Sequence, residues 1–274
     1  MLWCLGLGEL VFVGLGLFDE GDVSLRGLGE AKTADYVFAE FYTSLMAGLS
    51  LERLEERIGK KITVVSRKTL EEENGEPILR KAETSKVAFL VSGDPLIATT
   101  HVDLRVRAEK RGIRTRIVHG ASIVSAAMGA SGLQNYKFGR SVTVPFPEGD
   151  SISETPYNVI AENKARSLHT LCFLDVKAEK SQFMTIREAL EILLSIEKKK
   201  QNHVITMDSF AVGLARVGAQ DEVVKADRVK ALLGFDFGDP PHILVFPALR
   251  LHFMEAEALI WLAGALEQVN ELVG

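Results

Sequence analysis

Residues 11–21 read Val11-Phe12-Val13-Gly14-Leu15-Gly16-Leu17-Phe18-Asp19-Glu20-Gly21, an apolar run that breaks into glycines and then into acidic side chains. A short run rich in β-branched residues predicts a buried strand over Leu10–Val13, with Gly14 to Gly16 as the turn leaving it. Two dinucleotide-binding frames are available, and both fail. A G-x-G-x-x-G loop needs a third glycine for close helix–strand packing, but from Gly14 that position is Asp19 and from Gly6 it is Val11. The Asp19-Glu20 pair would also repel a pyrophosphate at a helix start. No Walker loop occurs. The pattern argues against NAD and ATP, and suits a cationic ligand better than a polyphosphate.

Upstream of this strand the chain is apolar, yet it makes a poor membrane segment. A spanning helix wants ~20 apolar residues, and Glu9 interrupts this one. A secretory signal wants early positive charge and a small-residue cleavage site, but the first basic residue is Arg26. The two cysteines, Cys4 and Cys172, form no framework and read as buried hydrophobes in a reducing, cytoplasmic setting. The six histidines show no metal-ligand spacing, and neither H-E-x-x-H nor G-x-S-x-G occurs, so no metal and no serine chemistry is expected. A formal charge of −5 over 274 residues speaks against a general nucleic-acid binder. The Lys198-Lys199-Lys200 run ends a helical pattern and complements its dipole.

Downstream, strand and helix patterns alternate. Strands are expected at Tyr36–Ala39, Ile62–Val65, Val87–Val91 and Arg114–Val118. Helices are expected from Ser24 to Ala34, around Leu51–Ile58, over a charged stretch from Arg67 to Glu83 broken at Gly75 and Pro77, and from Thr99 to Lys110. Such alternation implies a mainly parallel sheet covered on both faces. The pattern restarts after Gly120 with a helix at Ile123–Met128. A strand at Val142–Phe146 follows, then a Pro/Glu/Gly-rich loop and a helix ending at Arg166. Next come a strand at Thr170–Leu174, a long helix at Thr185–Lys199, a strand at Ala211–Ala215, and a Val223–Val224 segment with a short helix. A strand at His242–Phe246 and a terminal helix at Glu255–Val273 complete the reading. The expectation is two α/β domains, 1–119 and 120–274, the second with some antiparallel strands.

Two further stretches stand out. In Ser92-Gly93-Asp94-Pro95 a buried strand turns sharply at a sheet edge where α/β proteins collect ligands. Asp94 there suits either a local Asx turn or a bound ligand. In residues 237–246 (F-G-D-P-P-H-I-L-V-F) two prolines precede a buried strand, with His242 at its entry.

The combination of residues 13–20 (V-G-L-G-L-F-D-E), 35–45 (D-Y-V-F-A-E-F-Y-T-S-L), 92–101 (S-G-D-P-L-I-A-T-T-H) and 237–245 resembles the diphthine synthases, the diphthamide-pathway family of the tetrapyrrole methylase superfamily. Likeness extends through 136–141, 168–180 and 254–259 to the C-terminal helix. The resemblance implies two α/β domains with S-adenosylmethionine in the cleft between them, usually in a homodimer. It implies a protein substrate, translation elongation factor 2, whose histidine already carries a 3-amino-3-carboxypropyl group with the amine to be methylated. It implies no nucleic acid and no membrane. Carried over by position, the cofactor contacts would be Leu17, Asp94, Ile97, Ser122, Ile123, Leu174, Val217 and His242. No catalytic base is named by it. Relatives often have proline before the glycine that is Gly93 here, and Met1 to about Glu9 read as an addition. Competing readings are methylation of a tetrapyrrole or corrinoid, a non-catalytic adaptor of elongation factor 2, and an NAD-dependent dehydrogenase.

Overall fold

The structure is a computed structural model that describes residues 8–149 and 151–274. The opening residues through 7, Cys4 among them, lie outside the described residues. The chain divides between Ile123 and Val124 into two compact units.

The first unit runs β1 (Glu9–Gly14), α1 (Leu25–Thr33), β2 (Tyr36–Glu40), α2 (Leu51–Ile58), β3 (Thr63–Val64), α3 (Arg67–Glu71), α4 (Glu76–Ala82), β4 (Lys86–Val91), α5 (Val102–Lys110) and β5 (Arg114–Val118). Its strands pair in the order β3-β2-β4-β1-β5, all parallel. Strands β1 and β4 are covered on both faces, which is why they read as unbroken apolar runs. Val11, Val13, Ala88 and Leu90 pack with Ala31, Leu54 and Ile58 from α1 and α2. On the opposite face Phe12 meets Phe89 edge to face at 5.9 Å. Each buried Val, Leu, Ile or Phe among them contributes about 1.5–3 kcal/mol. Ser24, Ser50 and Ser66 cap α1, α2 and α3, each accepting the N–H three residues on.

The second unit begins inside α6 (Ile123–Ser131). It continues with β6 (Val142–Val144), α7 (Thr155–Ala165), β7 (Thr170–Leu174), β8 (Val176–Lys177), β9 (Gln182–Phe183), α8 (Ile186–Lys200), β10 (Phe210–Ala215), β11 (Val223–Arg228), α9 (Val229–Leu232), β12 (His242–Phe246) and α10 (Phe253–Ala263). The large sheet has the order β11-β10-β12-β7-β6. Only β6 and β7 pair in parallel there; the other neighbours are antiparallel. Helix α8 starts on a Thr185–Glu188 capping box and carries Lys198–Lys200 in its last turn, where they oppose the dipole.

Several boundaries differ from the sequence reading. The terminal helix stops at Ala263, because Gly264 takes a left-handed conformation (φ 59°) and only a 3-10 turn at Glu267–Leu272 follows. Helix α5 starts at Val102, since the Thr99 hydroxyl bonds back to the Pro95 carbonyl at 2.8 Å and holds that segment as a turn. Strand β3 shrinks to two residues at the sheet edge, and β6 ends at Val144. Strand β11 extends to Arg228, fully paired along β10. The β8–β9 hairpin has no hydrophobic alternation to announce it. Glu9 is no addition: it is the first residue of β1, paired with Lys86 and Arg114 and accepting two bonds from Arg116 at 2.7 and 2.9 Å. Gly8 is equally built in, because a Cβ there would overlap the Ala82 carbonyl.

Candidate functional site

In the first unit three strand ends converge on glycine. Gly14 closes β1, Gly93 follows β4 and Gly120 follows β5. A Cβ on Gly14 would sit 2.5 Å from both the Gly120 nitrogen and the Gly93 carbonyl oxygen. No larger residue allows backbones this close. Gly93 N–H donates to the Gly16 carbonyl at 2.7 Å and Gly16 N–H donates back at 3.3 Å. Gly16 holds φ 91°, the left-handed region that glycine adopts without strain. Residues 14–22, 92–101 and 118–123 thereby share the carboxyl edge of a parallel sheet, where open α/β sheets take their ligands.

The amides that would cradle a phosphate are already used. Asp22 Oδ2 accepts from Leu17 N at 3.0 Å and Phe18 N at 2.6 Å, and Asp19 Oδ1 accepts from Gly21 N at 2.7 Å. Glu20 is buried and engaged by the Arg53 guanidinium, which holds its carboxyl below the usual range against the opposing effect of burial. The group that closes this turn to a pyrophosphate is therefore Asp22, rather than the Asp19-Glu20 pair.

Asp94 does two things at once. Its Oδ1 accepts Leu96 N–H at 3.1 Å, the expected Asx turn, and its Oδ2 lies 2.6 Å from His119 Nδ1. The loop beyond is tied down at the Pro95 carbonyl, which accepts from Thr99 Oγ1 and contacts His101 Nδ1 at 3.2 Å. His101 is buried against Phe89, and its Nε2 lies 3.7 Å from Glu40. Burial lowers the His101 pKa, partly offset by the Glu40 charge. Glu40 is itself fully buried, accepting Tyr42 N–H and both the N–H and hydroxyl of Thr43. The Tyr-Thr pair thus anchors a buried carboxylate under the Gly-Asp-Pro loop.

Of the positions expected to contact a cofactor, Leu17, Asp94, Ile97, Ser122 and Ile123 all fall on this edge or its loops. Leu17, Ser122 and Ile123 are half-buried, and Ile97 is exposed. Apolar side chains, saturated amides and a buried carboxylate with lone pairs to spare form a set that fits a sulfonium cofactor and disfavours a polyphosphate.

The other three lie in the second unit, along one edge of its sheet. Ala215 pairs with His242 and Phe173 with Ile243, so His242 stands between the carboxyl ends of β10 and β7. Leu174 ends β7, Val217 lies just past β10, and both are buried. His242 Nδ1 accepts Ile186 N–H at 3.3 Å and its Nε2 donates to the Gly238 carbonyl at 3.1 Å. Burial lowers its pKa, so the ring is neutral at pH 7 and pins the first turn of α8 to the 235–241 loop. A cleft of about 320 Å3 opens beside it, lined by Thr185, Arg187, Phe235 and Phe237. No group of three or more metal-ligating side chains occurs among the described residues. Burial pushes the Cys172 thiol up, consistent with a core residue.

The residues missed from the sequence are His119, Asp22, and the Glu40–His101 pair. For His119 a signal existed: it follows β5 directly at the same sheet edge as Asp94.

Residues 9–232 match the family model of tetrapyrrole (corrin/porphyrin) methylases. The chain is 50% identical to the diphthine synthase of Methanosarcina mazei over 96% of its length and 98% of that protein. It is 45% identical to the diphthine synthase of Methanocaldococcus jannaschii over 92% of its length and 98% of that protein. A crystal structure of a diphthine synthase superposes with a TM-score of 0.87 at 43% identity, covering 97% of this chain and all of that one. The chain belongs to the tetrapyrrole methylase family and, within it, to the diphthine synthases.

Proposed function

We propose that the chain is an S-adenosylmethionine-dependent methyltransferase that methylates the amino group of the 3-amino-3-carboxypropyl-modified histidine of translation elongation factor 2, giving diphthine. The observation that carries this reading is the near full-length similarity to diphthine synthases, 50% identity over 96% of the chain. Supporting it, the turn after β1 has its amides closed by Asp22, while Asp94 leaves acceptor capacity on the edge that also carries Leu17, Ile97 and Ile123. The proposed cofactor contacts are Leu17, Asp94, Ile97, Ser122 and Ile123 in the first unit and Leu174, Val217 and His242 in the second. S-adenosylmethionine supplies an activated methyl group. The chain's residues serve chiefly to hold the amine in line with it, at ~3–3.5 Å.

The enzyme acts in the cytoplasm as a homodimer in this reading. No helix among the described residues is long and apolar enough to cross a membrane. Helix α10 exposes Met254, Trp261 and Leu262, an apolar row that a second copy would cover. Sedimentation reads the oligomeric state directly.

The decisive experiment is labelled methyl transfer onto elongation factor 2 from cells with and without the earlier diphthamide step. Label is expected only on the factor that carries the aminocarboxypropyl group. Label on a tetrapyrrole and never on the factor would replace this reading. Stabilisation by S-adenosylhomocysteine, about 2.7 kcal/mol at 100-fold excess over Kd, with no response to NAD, is the corresponding binding result.

A further inference from the structure

Amine methylation leaves one chemical task without a group. An ammonium has no lone pair, so a proton must leave before each attack. We propose that His119 is the catalytic residue that accepts this proton, oriented by Asp94; the proposal rests on the methyl-transfer reading above.

Asp94 is buried, with its side chain only 6% exposed, whereas the His119 side chain hydrogen-bonded to it is 72% exposed. A carboxylate only accepts, so the 2.6 Å contact from Asp94 Oδ2 places the ring hydrogen on Nδ1. The neutral ring then keeps its lone pair on Nε2, on the open side. His119 directly precedes Gly120, at the edge where Gly14 and Gly93 bring the three strand ends together. Within the first unit the other histidine is His101, which is buried with Nδ1 against the Pro95 carbonyl and Nε2 facing Glu40. His242 has both nitrogens engaged. His119 is thus the histidine of the candidate edges that combines an orienting carboxylate with an accessible nitrogen.

The balance is simple. Nε2 takes a proton from the ammonium, and the freed nitrogen pair forms the N–C bond. The C–S bond breaks, its electron pair passing to sulfur, which turns from sulfonium to thioether. The imidazolium left behind faces the Asp94 carboxylate and returns its proton to water through its exposed side.

His119→Asn separates this role from a structural one. The asparagine amide reproduces the Nδ1–H donor toward Asp94 but has no base at the Nε2 position. S-adenosylhomocysteine affinity by calorimetry should stay within about two-fold of wild type. Methyl transfer should fall roughly 10²–10⁴-fold, the range for general acid–base catalysis. His119→Ala, which leaves space for a small base, should regain part of its rate with added imidazole. In the ligand-free protein, ¹⁵N spectra of labelled histidine should show His119 as the Nδ1–H tautomer. Wild-type transfer rates in His119→Asn, or an Nε2–H tautomer, would overturn the assignment. Absence of transfer by the wild-type chain itself would overturn the underlying reading instead.

Discussion

Each unit carries a histidine hydrogen-bonded to a buried carboxylate, and the two pairs differ in what surrounds them. In the second unit His169 and Glu255 are both fully buried. His169 Nδ1 accepts Ala248 N–H at 2.9 Å, which leaves the hydrogen on Nε2, aimed at Glu255 Oε1 at 2.8 Å. Glu255 also accepts from Lys137 Nζ, Gln134 N and His252 N. Every ring and carboxylate atom has a partner, so the pair ties β7, the 134–137 turn and α10 together and has no capacity left for a solute. In the first unit His119 has, among the described residues, Asp94 as its one hydrogen-bond partner, and an open side. A His–carboxylate contact alone says nothing about function; saturation and exposure separate a brace from a base.

The comparison breaks first at Glu255. Glu255→Ala would leave the buried His169 and two amides without their acceptor and take the carboxylate from the partly exposed Lys137. It should cost roughly 3–5 kcal/mol of stability, the scale for removing one partner of a buried ion pair. Denaturant unfolding measures this. An equal loss from Asp94→Asn would erase the distinction between the two pairs.

Acid should test the same brace without mutation. Burial alone would raise the Glu255 pKa, but Lys137, the two amides and His169 outweigh it and hold it at about 2, against 4.5 unperturbed. A folded pKa below the unfolded one means the stabilisation is complete above about pH 4.5. It is lost as pH falls from there toward 2, amounting to about 3 kcal/mol. His169, whose pKa burial lowers, adds a loss of the same sign that begins nearer pH 6.5. Unfolding midpoints measured between pH 7 and 3 should therefore fall in wild type, and much less steeply in Glu255→Gln.

Asp94→Asn sharpens the other side. The amide keeps an oxygen for Leu96 N–H, so the turn should survive. Losing a charged acceptor toward the cofactor should cost about 1.5–3 kcal/mol, or ten- to a hundred-fold in S-adenosylhomocysteine Kd. The asparagine N–H would also turn His119 to its other tautomer, so transfer should drop further than binding. Unchanged affinity by calorimetry would take Asp94 out of the cofactor site while leaving its hold on His119 intact.

The fold was legible where local chemistry and tertiary structure agree. Val87–Val91 and Leu10–Val13 read as strands because both of their faces are buried, and Ser24, Gly59 and the Thr185 box mark helix ends with their own side chains or conformation. The Gly14–Gly93 edge was legible as well, because glycines at strand ends have few other reasons to be there. What stayed hidden depends on sheet order. Asp94 and His119 are 25 residues apart, and they meet because β1 alone separates β4 from β5 in the sheet. Asp22 was overlooked for a related reason: its carboxylate folds back four and five residues onto amides that the glycine pattern presents as free. Gly264 sits in a stretch whose apolar spacing continues on both sides, so periodicity alone carried the helix too far.

The smallest effect concerns where the first unit begins. A chain starting at Gly8 keeps Glu9, and with it the link from β1 to Arg116, which also binds Glu30 at 2.7 and 2.8 Å. That link holds the Glu9 carboxyl below its usual range, with Arg116 the main cause. Starting at Leu10 instead removes one of the two carboxylates on Arg116, with Glu9 and Arg116 side chains 18% and 34% exposed. The pair is partly open to solvent, and Glu30 remains to hold the guanidinium, so the loss should be about 1 kcal/mol and should shrink with added salt. These groups lie at the amino end of β1, opposite the glycine edge, so methyl transfer and S-adenosylhomocysteine affinity should be the same in both chains. A thermal midpoint unchanged between them would mean that Glu30 alone satisfies Arg116. A loss of cofactor affinity in the folded shorter chain would mean that the amino end of β1 communicates with the site at its other end.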